Sequence, residues 1–152
     1  MIDKSIVNQT VTEKLTGTDY FLISTEVSQN NEIVVSIDSD SNVDLNFCAE
    51  LNRSIEAVLD REKEDFELEV GSYGISKPFA VVRQYTKNIG KAVEMLSKKG
   101  LKIKGVLQEV CPDYFAIEIE KMVKMEGKKR KELQKEVLKF NYDEVKYTKL
   151  LI

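Results

Sequence analysis

Apolar residues open the chain at four-residue spacing: Val7, Val11 and Leu15, with Asp3 placed as an N-cap and Gly17 as a stop. That spacing predicts a short amphipathic helix. The period then changes to two. Phe21, Ile23, Thr25 and Val27 alternate along a strand, Gln29, Asn30 and Asn31 supply turn chemistry, and Ile33, Val35 and Ile37 line one face of a second strand. After the polar loop from Asp38 to Asn42, Asp44 is placed to cap a helix whose inner face is Cys48, Leu51, Ile55, Val58 and Leu59. An acidic stretch from Asp60 to Asp65 closes it, and Phe66, Leu68 and Val70 point inward from a third strand. The order α-β-β-α-β makes a three-stranded sheet backed by two helices.

Two glycines and a proline then fall within Gly71 to Phe79 and break the pattern, which is the composition of a linker. A brief helix is expected over 80–88. From Ile89 the period is two again, through Val93 and Met95 or Leu96 to a turn at Lys99 and Gly100. Leu101 and Ile103 resume, Gly105 marks a bulge, and Val106 to Val110 continue the strand. Cys111, Pro112 and Asp113 turn the chain into the alternating Phe115, Ile117 and Ile119. The highly charged segment 121–136 reads as a loop, whose basic run either contacts phosphates or is simply a solvated hairpin loop. Val137 to Phe140, a turn at 141–144, and Val145 to Ile152 supply the last strands. Several short strands with almost no helix predict a small barrel.

Charge changes this picture more than composition does. The formal net charge of −3 conceals 6 basic against 16 acidic residues over 1–79, and 17 against 10 over 80–152. An acidic half and a basic half suit two kinds of partner, a basic protein surface and a polyanion. The halves could also simply neutralise each other by packing together. The chain holds no histidine, which excludes Ser-His-Asp and Cys-His catalysis. Cys48 and Cys111 stand far apart without CxxC spacing, so no zinc site is expected, and Cys48 reads as a small buried hydrophobe. No apolar run approaches the ~18 residues needed to span a bilayer, and no signal peptide is read at the start, so a cytoplasmic protein is expected.

Few motifs carry chemistry. Asp38, Asp40 and Asn42 match the opening of a calcium loop, but Val43 and Ala49 stand where its glycine and glutamate belong. Gly71-Ser72-Tyr73-Gly74 fits the GXXG pattern that clamps nucleic acid in KH domains, yet it leaves a strand rather than a helix. A hinge at Gly71, Ser72, Gly74, Lys77 and Pro78 is the expectation there. Candidate RNA contacts are the basic run Lys128, Lys129, Arg130 and Lys131, together with Lys102 and Lys104, which alternate with Leu101 and Ile103 and project outward. Candidate protein contacts are Glu56, Asp60, Glu62 and Glu64. No catalytic residue, metal ligand or cofactor site is read.

The stretch from Leu68 to Phe79 resembles the junction signature of the bacterial ribosome maturation factor RimP family, where a strand end is followed by Ser-Ser-Pro-Gly-Leu-Asp-Arg-Pro-Leu. Ser72, Gly74 and Pro78 match; Gly71 replaces the first serine, Tyr73 the proline and Lys77 the arginine. Val35 to Asp38, Val43 to Leu45 running into Cys48, Ile89 to Lys91, and Phe140 through Val145 extend the resemblance in order along nearly the whole chain. It implies an α+β protein: an N-terminal α-β-β-α-β (KH-like) domain over 1–74, a linker with a short helix over 75–88, and a small all-β Sm-like or SH3-like barrel over 89–152. It further implies a monomeric, non-enzymatic factor that binds the immature small (30S) ribosomal subunit and assists a decoding-region ribosomal protein onto 16S rRNA. A general RNA-binding Sm-like adaptor unconnected with ribosomes is the alternative.

Overall fold

The structure, a computed structural model, describes residues 1–124, 127 and 131–152, and of Val123, Lys124 and Lys131 the backbone alone. It divides into two compact units, Met1–Gly74 and Ile75–Ile152. The protein is α+β, with the expected α-β-β-α-β order first and a five-stranded antiparallel sheet second.

In the first unit α1 spans Lys4–Leu15, begun by Asp3, whose carboxylate accepts the Ser5 N–H at 2.9 Å. Strands β1 (Tyr20–Val27) and β2 (Glu32–Ser39) pair antiparallel, α2 (Leu45–Val58) follows, and β3 (Glu67–Ser72) pairs parallel to β2. The core is Val7, Val11 and Leu15 from α1, Ile33, Val35 and Ile37 from β2, Cys48, Leu51 and Ile55 from α2, and Phe66. Tyr20 stacks flat on Phe47, with centroids 3.8 Å apart, and its hydroxyl accepts the Asp44 N–H at 2.8 Å, which fixes the entry to α2.

Two inner-face expectations are corrected here. The register of β1 slips between Leu22 and Ser24, so Ile23 is a bulge. Because strand side chains alternate with a period of two, one extra residue exchanges the faces. Leu22, Thr25 and Val27 therefore lie opposite Ile37, Val35 and Ile33, and Phe21 lies on the other face. In α2, Val58 is 52% exposed; it is the last helical residue, and Leu59 beyond it packs on the core in its place.

The second unit begins with α3 (Val82–Lys87), so the segment read as a linker contributes to this unit. The Phe79 N–H donates to the Thr148 carbonyl at 2.7 Å, and Gln84 Oε1 accepts from the Ala80 and Val81 N–H groups. Strands β4 (Ala92–Ser97), β5 (Lys102–Val110), β6 (Tyr114–Lys124), β7 (Lys131–Asn141) and β8 (Val145–Leu150) form one sheet in the order β7-β6-β5-β4-β8, with a 3₁₀ turn over Tyr142–Glu144. Tyr85 from α3 packs among Phe79, Phe115 and Tyr142 at centroid distances of 4.9–5.1 Å, and its hydroxyl donates to Thr148 Oγ1 at 3.0 Å. Val93, Met95, Leu107, Phe115 and Ile117 complete a fully buried centre.

Three further expectations are corrected in this unit. The strand begins at Ala92 rather than Ile89, because the turn that follows α3, with Gly90 at φ +90°, occupies residues 88–91. Gly105 is paired with Val93 in regular register, and the bulge in β5 falls between Leu107 and Glu109. Glycine is required at 105 for another reason: a Cβ there would collide with the Glu118 carbonyl oxygen and the Ile117 side chain, so β6 folds back closely over β5 at this point. The charged segment 121–136 is not a loop throughout. β6 and β7 pair in unbroken register from Tyr114 opposite Asn141 to Lys124 opposite Lys131.

Candidate binding surfaces

The outer face of the second sheet gathers one cationic cluster. Strand alternation sends Val93 and Met95 into the core and Glu94 outward. The register places Lys104 of β5 and Lys149 of β8 directly opposite Glu94 on its two sides. Lys102 reaches Glu94 Oε1 at 3.4 Å and Lys104 the same oxygen at 4.0 Å, while Lys149 lies 3.8 Å from Oε2, which also accepts the Tyr147 hydroxyl at 3.0 Å. Desolvation pulls the Glu94 carboxyl upward. The hydrogen bonds from Tyr147 and Lys102 and the charges of Lys102 and Lys149 outweigh it and hold the group below its ordinary range.

Lys102 and Lys104 were thus legible as an outward row, whereas Lys149, Tyr147 and Glu94 were not. They come from strands far apart in sequence, and only the pairing of β4 with both β5 and β8 unites them. Lys128, Lys129 and Arg130 lie outside the described residues, and Lys131 opens β7 opposite Lys124.

On the first unit the four expected acidic contacts are largely engaged. Glu56 faces Arg61 at 3.6 Å, and Asp60 Oδ1 accepts the Glu62 N–H at 2.9 Å. Glu64 accepts the terminal ammonium of Met1 at 2.7 Å and Asn31 Nδ2 at 3.2 Å, and these hydrogen bonds hold its carboxyl below the usual range. Arg61 also bonds Asp65 at 3.0 Å and the Phe66 carbonyl at 2.7 Å. The segment is a structured turn rather than a row of loose carboxylates.

A second acidic surface was missed. Core residues on β2 and β3 alternate with Glu32, Val34, Glu67 and Glu69, and the bulge in β1 turns Glu26 to the same side. Glu26, Val34 and Glu69 lie side by side across the three strands, and Glu32 lies opposite Glu67. All four glutamates are exposed, and none of the three strands carries a lysine or arginine.

At the junction, Gly71 and Ser72 are paired in β3 opposite Ser36 and Ile37, and the Tyr73 N–H donates to the Ile37 carbonyl at 2.9 Å. Gly74 follows with φ +97°, a conformation that other residues rarely adopt. Cys48 is buried, and that burial, with the nearby Asp44 charge, raises its thiol pKa. A hollow of about 160 Å³ lined by Lys14, Phe47, Glu50, Leu51 and Ser54 is smaller than the roughly 300 Å³ at which small-molecule sites begin. Among the described residues no group of three or more cysteine, aspartate or glutamate side chains gathers for a metal ion, and no helix is long and apolar enough to cross a membrane.

Comparison with known proteins gives a consistent result. Residues 10–76 match the RimP N-terminal domain family. A protein named ribosome maturation factor RimP from Porphyromonas gingivalis is 38% identical over 131 residues, covering 86% of each chain. One of the same name from Flavobacterium psychrophilum is 40% identical over 98 residues, 64% of this chain and 63% of that one. A third, from Christiangramia forsetii, is 47% identical over 75 residues, about half of each.

Proposed function

The chain belongs to the RimP ribosome maturation factor family, and from that premise we propose that it binds the immature small ribosomal subunit in the cytoplasm and helps a basic decoding-region protein join 16S rRNA. The observation that carries this reading is the 38% identity to a named ribosome maturation factor across 86% of the chain. The surfaces support a division of labour. The basic unit presents Lys102, Lys104 and Lys149 outward for the RNA backbone, where lysines give affinity by releasing counterions. The acidic unit offers a basic protein the glutamates of its sheet face and the turn around Glu56 to Glu64. Carrying both contacts on one chain raises the effective concentration of the second once the first has formed.

A sucrose-gradient profile of a strain lacking the gene, with and without the chain restored, tests the reading. Small-subunit precursors should accumulate without it and clear on restoration. The chain itself should comigrate with free small subunits at low salt and be released at high salt. A normal profile in the deletion strain, or a chain that stays in the light fractions at low salt, refutes the proposal.

A further inference from the structure

Exposure is divided unequally within the Glu94 cluster. The Glu94 side chain is 8% exposed, while those of Lys102, Lys104 and Lys149 are 54%, 61% and 39% exposed. The carboxylate therefore lies beneath, and the ammonium groups form the surface that a ligand meets. Both carboxylate oxygens are engaged, one by Lys102 and Lys104 and the other by Lys149 and the Tyr147 hydroxyl. Three positive charges around one negative leave a positive surplus. Three lysines would otherwise repel each other and splay on their flexible stems, losing order that a ligand must then restore. Glu94 gathers them in advance, with every ammonium within 4.0 Å of the same carboxylate.

We propose that Lys102, Lys104 and Lys149 form one binding site for a single phosphodiester of an RNA backbone, with Glu94 as its positioning residue. The proposal rests on the reading of the basic unit as the RNA side. It goes further in naming one shared site across β5, β4 and β8, where a row of lysines would make separate contacts. Ammonium groups are point charges suited to phosphate oxygens, and the carboxylate below them receives no ligand atom. The Lys149 ammonium also sits over the Tyr147 ring, 5.5 Å from its centroid, and that ring helps confine it.

The experiment is a titration of the full chain with a labelled single-stranded rRNA fragment, read by fluorescence anisotropy over a series of potassium chloride concentrations. Each phosphate neutralised on a single strand contributes about 0.7 to the slope of log affinity against log salt. One shared site predicts that the triple variant Lys102→Gln, Lys104→Gln, Lys149→Gln loses about 0.7 in slope, and that Lys149→Gln alone loses most of it. Lys146→Gln, on the same strand but outside the cluster, should leave the slope unchanged. Glu94→Gln adds net positive charge, so a bulk charge effect would steepen the slope; loss of positioning should instead shallow it by about the same 0.7.

An unchanged triple variant, or one that loses about 2 as three separate contacts would, overturns the single-site proposal. So does a Glu94→Gln slope that is unchanged or steeper. Inorganic phosphate that displaces RNA better than chloride at equal ionic strength assigns the site to a free anion and also overturns it. A wild-type chain with no salt-dependent RNA binding refutes the underlying RNA reading instead. Circular dichroism of each variant confirms that it has folded.

Discussion

Replacing Gly105 by alanine isolates the close approach of β6 to β5 in the second sheet. A Cβ built on Gly105 would stand 2.6 Å from Ile117 Cγ2, and it would also collide with the Glu118 carbonyl oxygen. Ordinary carbon contacts lie at about 3.5–4.0 Å, so the overlap with Ile117 is about 1 Å. The Ile117 side chain is fully buried, and the carbonyl is backbone paired within the sheet, so neither can swing aside cheaply. Overpacking of this kind costs about 1–3 kcal/mol, and a backbone obstacle puts this site near the top of that range. Alanine recovers about 0.5–1 kcal/mol because glycine loses more conformational freedom on folding. The net expectation is a loss of about 2 kcal/mol. For a unit of this size that lowers the melting temperature by roughly 8–16 °C. Urea unfolding followed by far-ultraviolet circular dichroism measures it, with Gly74→Ala as a comparison in which nothing obstructs the new methyl and the cost is backbone strain at φ +97°. A Gly105→Ala protein as stable as the parent refutes the close approach of β6 to β5. Lys102 and Lys104 ride on the displaced strand, so its salt-dependent RNA affinity should fall as well.

Other consequences are open to direct measurement. Asp44→Ala removes the carboxylate that accepts the Asn46 N–H at 2.8 Å and should cost about 1 kcal/mol, read in the urea transition of the first unit. Ile55→Ala, at a fully buried position on α2, should cost about 2–5 kcal/mol in the same assay; a change below that range would mean the helix is not packed as described. Tyr142 is held up to about 12 by its burial and then by the charges of Tyr85 and Cys111. Its folded pKa exceeds the ordinary 10, so the folded state holds the proton more tightly. Its contribution to stability is therefore full below pH 10 and is lost as pH rises from about 10 to about 12. Tyr114 is likewise pushed up to about 12, by its hydrogen bond and charge contact with Cys111, so tyrosinate absorbance should show a late-titrating component that loses the amplitude of one tyrosine in Tyr142→Phe. An unchanged late amplitude in that variant, or a titration complete by pH 11, would contradict the placement.

The order of elements, the caps at Asp3 and Asp44 and most of both cores were legible in the residue pattern, because periods of 3.6 and two are local properties of the chain. The change in charge between the halves was legible for the same reason: it is a sum over residues and needs no fold. The side chains that meet across strands were not. The bulge at Ile23 exchanges the faces of β1 without any mark in the alternation of Phe21, Ile23, Thr25 and Val27. Gly105 looks like a bulge in the sequence, but the fold uses it where the neighbouring strand β6 leaves no room for a side chain. Asn31 reads as a turn residue; at φ 57° it also accepts the Ile2 N–H and donates to Glu64 and the Asp65 carbonyl, tying three separate segments together. The cationic surface follows the same rule. Lys102 and Lys104 could be picked out as outward-facing, but Glu94 and Lys149 join them only because β4 pairs with β5 on one side and β8 on the other. Local periodicity therefore decided which residues form each element and which face is apolar, and strand register decided which charges share a site.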